Sequence, residues 1–164
     1  MDLATRFDRI EGLLRAPIPP SWPELGSLLA LPDGRWHDHD PAAAVASLAS
    51  SWQRGAIDWA GVSALWLGIE SDGGASSLDP VGYSALGDTG FPHRAVWHAD
   101  RLPSKDLTAF ATYYGGDARL DGYDYWAPLA WTGLIVRLLA PAPAGVTVLA
   151  GFSGGDWFMF PAAV

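Results

Sequence analysis

Three carboxylates, Asp117, Asp121 and Asp124, fall within the stretch GGDARLDGYDYW, Gly115 to Trp126, beside Tyr123, Tyr125 and Trp126. Clustered loop oxygens hold calcium when ligands alternate along the chain and a terminal Glu closes the shell. Neither the alternation nor the Glu is present, so no calcium loop is expected. The residues read instead as turns: Gly115-Gly116 stops a helix and Asp121-Gly122 redirects the chain. Tyr123, Tyr125 and Trp126 then anchor a returning helix. Carboxylates interleaved with Tyr and Trp are also the material of protein interfaces and sugar sites, because such rings offer contact area at small entropic cost.

Other chemistry is weaker. In HDHD, His37 to Asp40, an extended chain would put His37 and His39 on one side, but two ligands do not complete a metal site and Asp40 is wanted as a helix cap. Glu70 and Asp72 could flank a glycosidic bond, yet a strand end makes them equally good solvated turn residues. Ser, His and Asp are all present without a G-x-S-x-G elbow, and the serines sit at caps and turns. His93 and His98 flank the RAVW strand as single histidines. No Gly-rich loop leads from strand to helix in a way that would cradle phosphate. The expectation is therefore no catalytic residue, no metal and no cofactor.

The elements that must position these residues follow from periodicity. Leu3, Phe7, Ile10 and Leu14 line one face of a helix that ends at the prolines of APIPPSWP. Ser21 and Glu24 have capping-box spacing and predict a short helix to about Leu31, closed by an Asp33-Gly34 turn. Asp40-Pro41 predicts a further helix with Ala44, Val45, Leu48 and Trp52 inward, stopping at Gly55. VSALWLGIE predicts a buried strand, and RAVWHA a second with Ala95, Trp97 and Ala99 on one face. Ser104 should cap a helix through KDLTAFATYY, with Leu107, Phe110, Ala111 and Tyr114 as its stripe. PLAWTGLIVRLLA predicts another helix, with Pro128 near its start, to about Ala140. GVTVLAGF and DWFMF flank Ser153-Gly154-Gly155 as a closing hairpin. The order predicts one α+β domain, 1–164, with a mostly antiparallel sheet packed against several helices.

Bulk properties narrow the partners. The chain has 164 residues, ten basic against eighteen acidic, a formal charge of −8, nine Trp and no Cys. A charge of that sign repels phosphate backbones and anionic lipid, so nucleic acid and membrane are not expected partners, whereas a basic protein is attracted. Absent Cys favours a reducing compartment, and the N-terminus lacks a basic region leading into an apolar run, so a cytoplasmic location is expected. Nine Trp in a small chain suggest that some meet solvent or a partner.

Four stretches in order resemble the SUKH superfamily of α+β immunity and cell-wall-regulator-like proteins. They are IPPSWPELGSLLALPDG, the hairpin LGIESDGGASSLDP, the strand AVWHAD and the helix SKDLTAFATYY, together spanning about residues 10 to 114. The resemblance implies a bacterial protein that neutralises a toxin, often a nuclease, by binding it with an acidic face. The resulting expectation is a non-catalytic, acidic protein-binding module. Its acidic positions would be Glu70, Asp72, Asp117, Asp121 and Asp124, with Tyr123 and Trp126 as anchors. The alternative is a carbohydrate-binding module or carbohydrate-active enzyme using surface Trp, Tyr and carboxylates.

Overall fold

The expected first stripe becomes α1 (Leu3–Leu14), with Ile10 and Leu14 buried and Phe7 packed on the same core. The structure is a computed structural model and describes residues 3–31, 34–54, 59–72, 74–87, 92–114, 122–139, 145–153 and 155–160. The capping box forms as spaced and starts α2 (Trp22–Leu29): the Ser21 hydroxyl accepts from the Glu24 N–H while Glu24 accepts from the Ser21 N–H. Ala30 ends α2 at φ 53, in the left-handed region. The HDHD segment is not extended, because Gly34–Asp38 winds into a 3-10 turn. The Asp40 carboxylate then caps α3 (Pro41–Arg54) by accepting from the Ala42 N–H at 2.9 Å. Ala44, Val45 and Leu48 pack on the core as the periodicity requires. The Asp33 turn and the Gly55 stop lie outside the described residues.

The sheet contains β1 (Ala64–Asp72), β2 (Ala75–Leu86), β3 (Pro92–His98), β4 (Leu102–Pro103), β5 (Thr147–Phe152) and β6 (Trp157–Phe160). Spatial order is β3-β2-β1-β5-β6, with β4 also on β2. All pairs are antiparallel except β1 with β5, so the closing hairpin docks beside the central strand. The α+β reading holds, with one parallel pair added.

Sequence periodicity understates β2, which runs straight through Pro80 and Gly82. Gly82 is needed there, since a Cβ would lie 2.4 Å from the Trp97 indole packed across it. The expected strict alternation in RAVWHA also fails. The register shifts between Gly82 and Tyr83: Trp97 lies opposite Gly82 while Ala95 lies opposite Tyr83. Val96 is the extra residue and is left 46% exposed. Ala95 and Trp97 therefore do not share a face.

Two further helices complete the layer. Ser104 Oγ accepts from the Leu107 N–H and caps α4 (Lys105–Tyr114). The last helix, α5 (Tyr123–Leu138), begins five residues before Pro128 rather than at it. Pro128 is the sixth residue of α5, past the first turn, so the helix forgoes the N–H bond that position 128 would make to the carbonyl of residue 124. Every residue from Trp126 to Ile135 is buried, Pro128 and Gly133 included, as befits a central helix rather than a surface one. It packs against α1, α2, α3, α4, β1 and β5. Trp22, Trp36, Phe110 and Trp131 interlock in this layer, edge-on except for the tilted Trp22–Phe110 pair, with Trp22 and Trp131 centroids 4.8 Å apart. A second cluster, Ala64, Trp66, Val81 and Leu149 with Tyr83, Leu86 and Trp157, draws only on the sheet.

The tryptophans are more internal than their number suggests. Trp22, Trp36, Trp66, Trp126 and Trp131 are buried, and Trp59, Trp97 and Trp157 are half-buried. Among the described residues no Trp side chain is exposed. Core packing takes up five of them outright, and the Trp52 side chain, expected inward on α3, lies outside the described residues.

Candidate functional site

Parallel pairing of β1 with β5 brings Ile69 level with Phe152, so Glu70, still within β1, lies beside Ser153, the first residue past β5. Ser153 Oγ donates to Glu70 Oε1 at 2.7 Å. Three residues further, Asp156 is held by the first turn of α5. Tyr125 donates its phenol to Asp156 Oδ2 at 2.8 Å, and the same oxygen accepts from the Asp156 N–H at 2.7 Å. The Tyr125 ring stacks on Phe152 with centroids 4.6 Å apart and planes 12° from parallel. The β5–β6 turn is closed internally by Gly155 N–H to Phe152 O and by Phe152 N–H to Asp156 O. A hydroxyl thus fixes each of two carboxylates at one end of the molecule, and an ionised carboxylate so held retains further acceptor capacity.

The electrostatics follow from this arrangement. Burial pushes the Tyr125 phenol above its ordinary value of 10.0; the Asp156 carboxylate raises it further, while the Asp156 N–H opposes the rise. Tyr125 therefore stays a neutral donor to a charged acceptor, a charge-assisted bond. Asp156 and Ser153 are exposed and Glu70 is half-buried, so the carboxylates lie within reach of solvent.

The expected site residues divide. Glu70 stands at this end as described. Asp72 closes β1 opposite Ala75, and Tyr123 and Asp124 open α5, one turn or less from Tyr125; their side chains lie outside the described residues. Asp117 and Asp121 also lie outside them. Trp126 is corrected: it is 3% exposed, with Phe7 at 6.2 Å and Tyr125 at 5.3 Å, and so serves the core instead of an interface. One residue along a helix is a rotation of about 100°, which separates the outward Tyr125 from the inward Trp126. Asp156, Ser153 and Tyr125 were missed. The signal that could have found Ser153 and Asp156 was the closing turn Ser153-Gly154-Gly155-Asp156, which sets a hydroxyl and a carboxylate three residues apart between two strands.

The histidine motif resolves differently. His39 Nδ1 and Asp106 Oδ1 lie 2.7 Å apart, with side chains 10% and 8% exposed. An ionised carboxylate only accepts, so the imidazole proton sits on Nδ1. The ring is packed among Phe110, Tyr113 and Trp131. This pair ties the 3-10 turn to α4. His37 instead stacks on Trp36 at 3.5 Å. Among the described residues no group of three His, Cys, Asp or Glu could hold a metal.

No protein-family model matches the chain, nor does any curated protein or solved structure.

Proposed function

We propose that the protein is a non-catalytic acidic module that binds a basic protein partner through the end of the sheet carrying Glu70 and Asp156. The carrying observation is the pair of hydroxyl clamps, Ser153 on Glu70 and Tyr125 on Asp156, which hold two carboxylates in place on a chain of charge −8. Preorganised charge lowers the ordering cost of association, and excess negative charge steers a basic partner toward it. The resemblance of residues 10 to 114 to immunity proteins extends this reading to a toxin as the partner. A sugar platform is less well served, because the described indoles are buried or half-buried and none offers an open face.

Site-specific photocrosslinking tests the reading. A photoreactive residue at Ser77, which pairs with Glu70 across β1 and β2 and takes part in neither clamp, should capture a basic protein in cells, whereas the same residue at the exposed Ser50 on α3 should not. Equal capture at both positions, or capture only of acidic proteins, would refute it.

A further inference from the structure

A cavity of about 530 Å³, whose lining includes none of Glu70, Ser153, Asp156 or Tyr125, lies between α3, the start of α4, α5 and the β2–β4 pair. That volume is within the usual range of small-molecule sites. Its walls are largely apolar, from Ala44, Leu48, Leu78 and Ile135; the polar residues of the lining are Ser47, Ser104, Lys105, Asp106 and Thr132, of which Asp106 and Thr132 are buried. Thr132 is 1% exposed, and its Oγ1 has no hydrogen-bond partner among the described residues. A helical Thr normally donates to the carbonyl four residues back, and a buried hydroxyl without a partner costs stability. A ligand oxygen would satisfy it.

The surrounding charges select the ligand. An anion would meet the Asp106 carboxylate. A cation would meet the positive N-terminal end of α4 and Lys105, which also lines the cavity, while Asp106 is already engaged by His39. We infer that this cavity binds a small neutral molecule with a hydrocarbon body and one hydroxyl or carbonyl oxygen, which pairs with Thr132. The site shares no lining residue with the clamped carboxylates of the acidic end.

Amide-detected NMR titration of the full chain with toluene and with benzyl alcohol tests this. Both should give saturable shifts at Ala43–Leu48, Ser104–Leu107 and Trp131–Ile135. Thr132→Val should weaken benzyl alcohol about fivefold to tenfold while sparing toluene, as expected for one lost hydrogen bond. Thr132→Ser should restore the wild-type ratio, and Ala44→Leu, which fills the cavity, should abolish both. Absence of saturable shifts there in the wild type would overturn the inference. So would equal loss of both probes in a folded Thr132→Val, which would make the hydroxyl merely structural. Should that variant not fold, Thr132→Ala takes its place with the same two outcomes, and unchanged binding in Ala44→Leu still overturns the inference.

Discussion

Tyr125 is the residue on which the acidic end turns, since a single oxygen both donates to Asp156 and accepts from its backbone. Tyr125→Phe keeps the stack on Phe152 and removes both bonds, so chemical denaturation should report a loss of about 1–2 kcal/mol. The pH dependence has a definite sign. A phenol whose folded pKa lies above its ordinary value contributes stability that is complete below pH 10.0 and is lost as pH rises through the folded value. Burial, with the Asp79 charge beside it, raises Tyr83 in the same direction. Wild-type stability should therefore decline on the alkaline side, and Tyr125→Phe should remove part of the decline while Tyr83 keeps the rest. Stability measured across that range would contradict the account if the variant and the wild type declined identically.

At the scale of elements, α2 shows how far local rules reach. The Ser21 backbone N–H, and then its hydroxyl, hold the Glu24 carboxyl below its ordinary value of 4.5. A lowered carboxylate contributes stability above pH 4.5 that is lost as pH falls through the folded value. Ser21→Ala should cost about 1 kcal/mol at neutral pH and flatten the acid limb of the stability curve. At the other end, Ala30 adopts φ 53 while its N–H reaches Ser27 O and the Leu31 N–H reaches Gly26 O. Glycine is the residue of least strain there, so Ala30→Gly should stabilise by up to about 1 kcal/mol in thermal unfolding. The caps at Ser21, Asp40 and Ser104 were legible because each is a contact within four residues of sequence. What stayed hidden depends on distant partners: the passage of β2 through Gly82 requires the Trp97 indole, and the bulge at Val96 requires the facing strand. The acidic end was half legible for the same reason. Glu70 stood out at a strand end, but its partner Ser153 is 83 residues away and arrives only through the parallel pairing of β5 with β1.

For the whole molecule, the claim is that a chain of charge −8 presents fixed carboxylates at one end and keeps its described tryptophan side chains buried or half-buried. Long-range attraction to a basic partner then acts mainly on the rate of encounter, and salt should weaken it as the screening length shrinks from about 30 Å to about 8 Å. The most direct measurement is the association rate constant with the crosslinked partner, followed by stopped flow from about 0.01 M to about 0.15 M ionic strength. The wild-type rate should fall by about tenfold or more, and Glu70→Gln with Asp156→Asn should be slower at low salt and less sensitive to it. A rate indifferent to salt, or a double variant with the wild-type rate and slope, would contradict the assignment of the partner surface to Glu70 and Asp156.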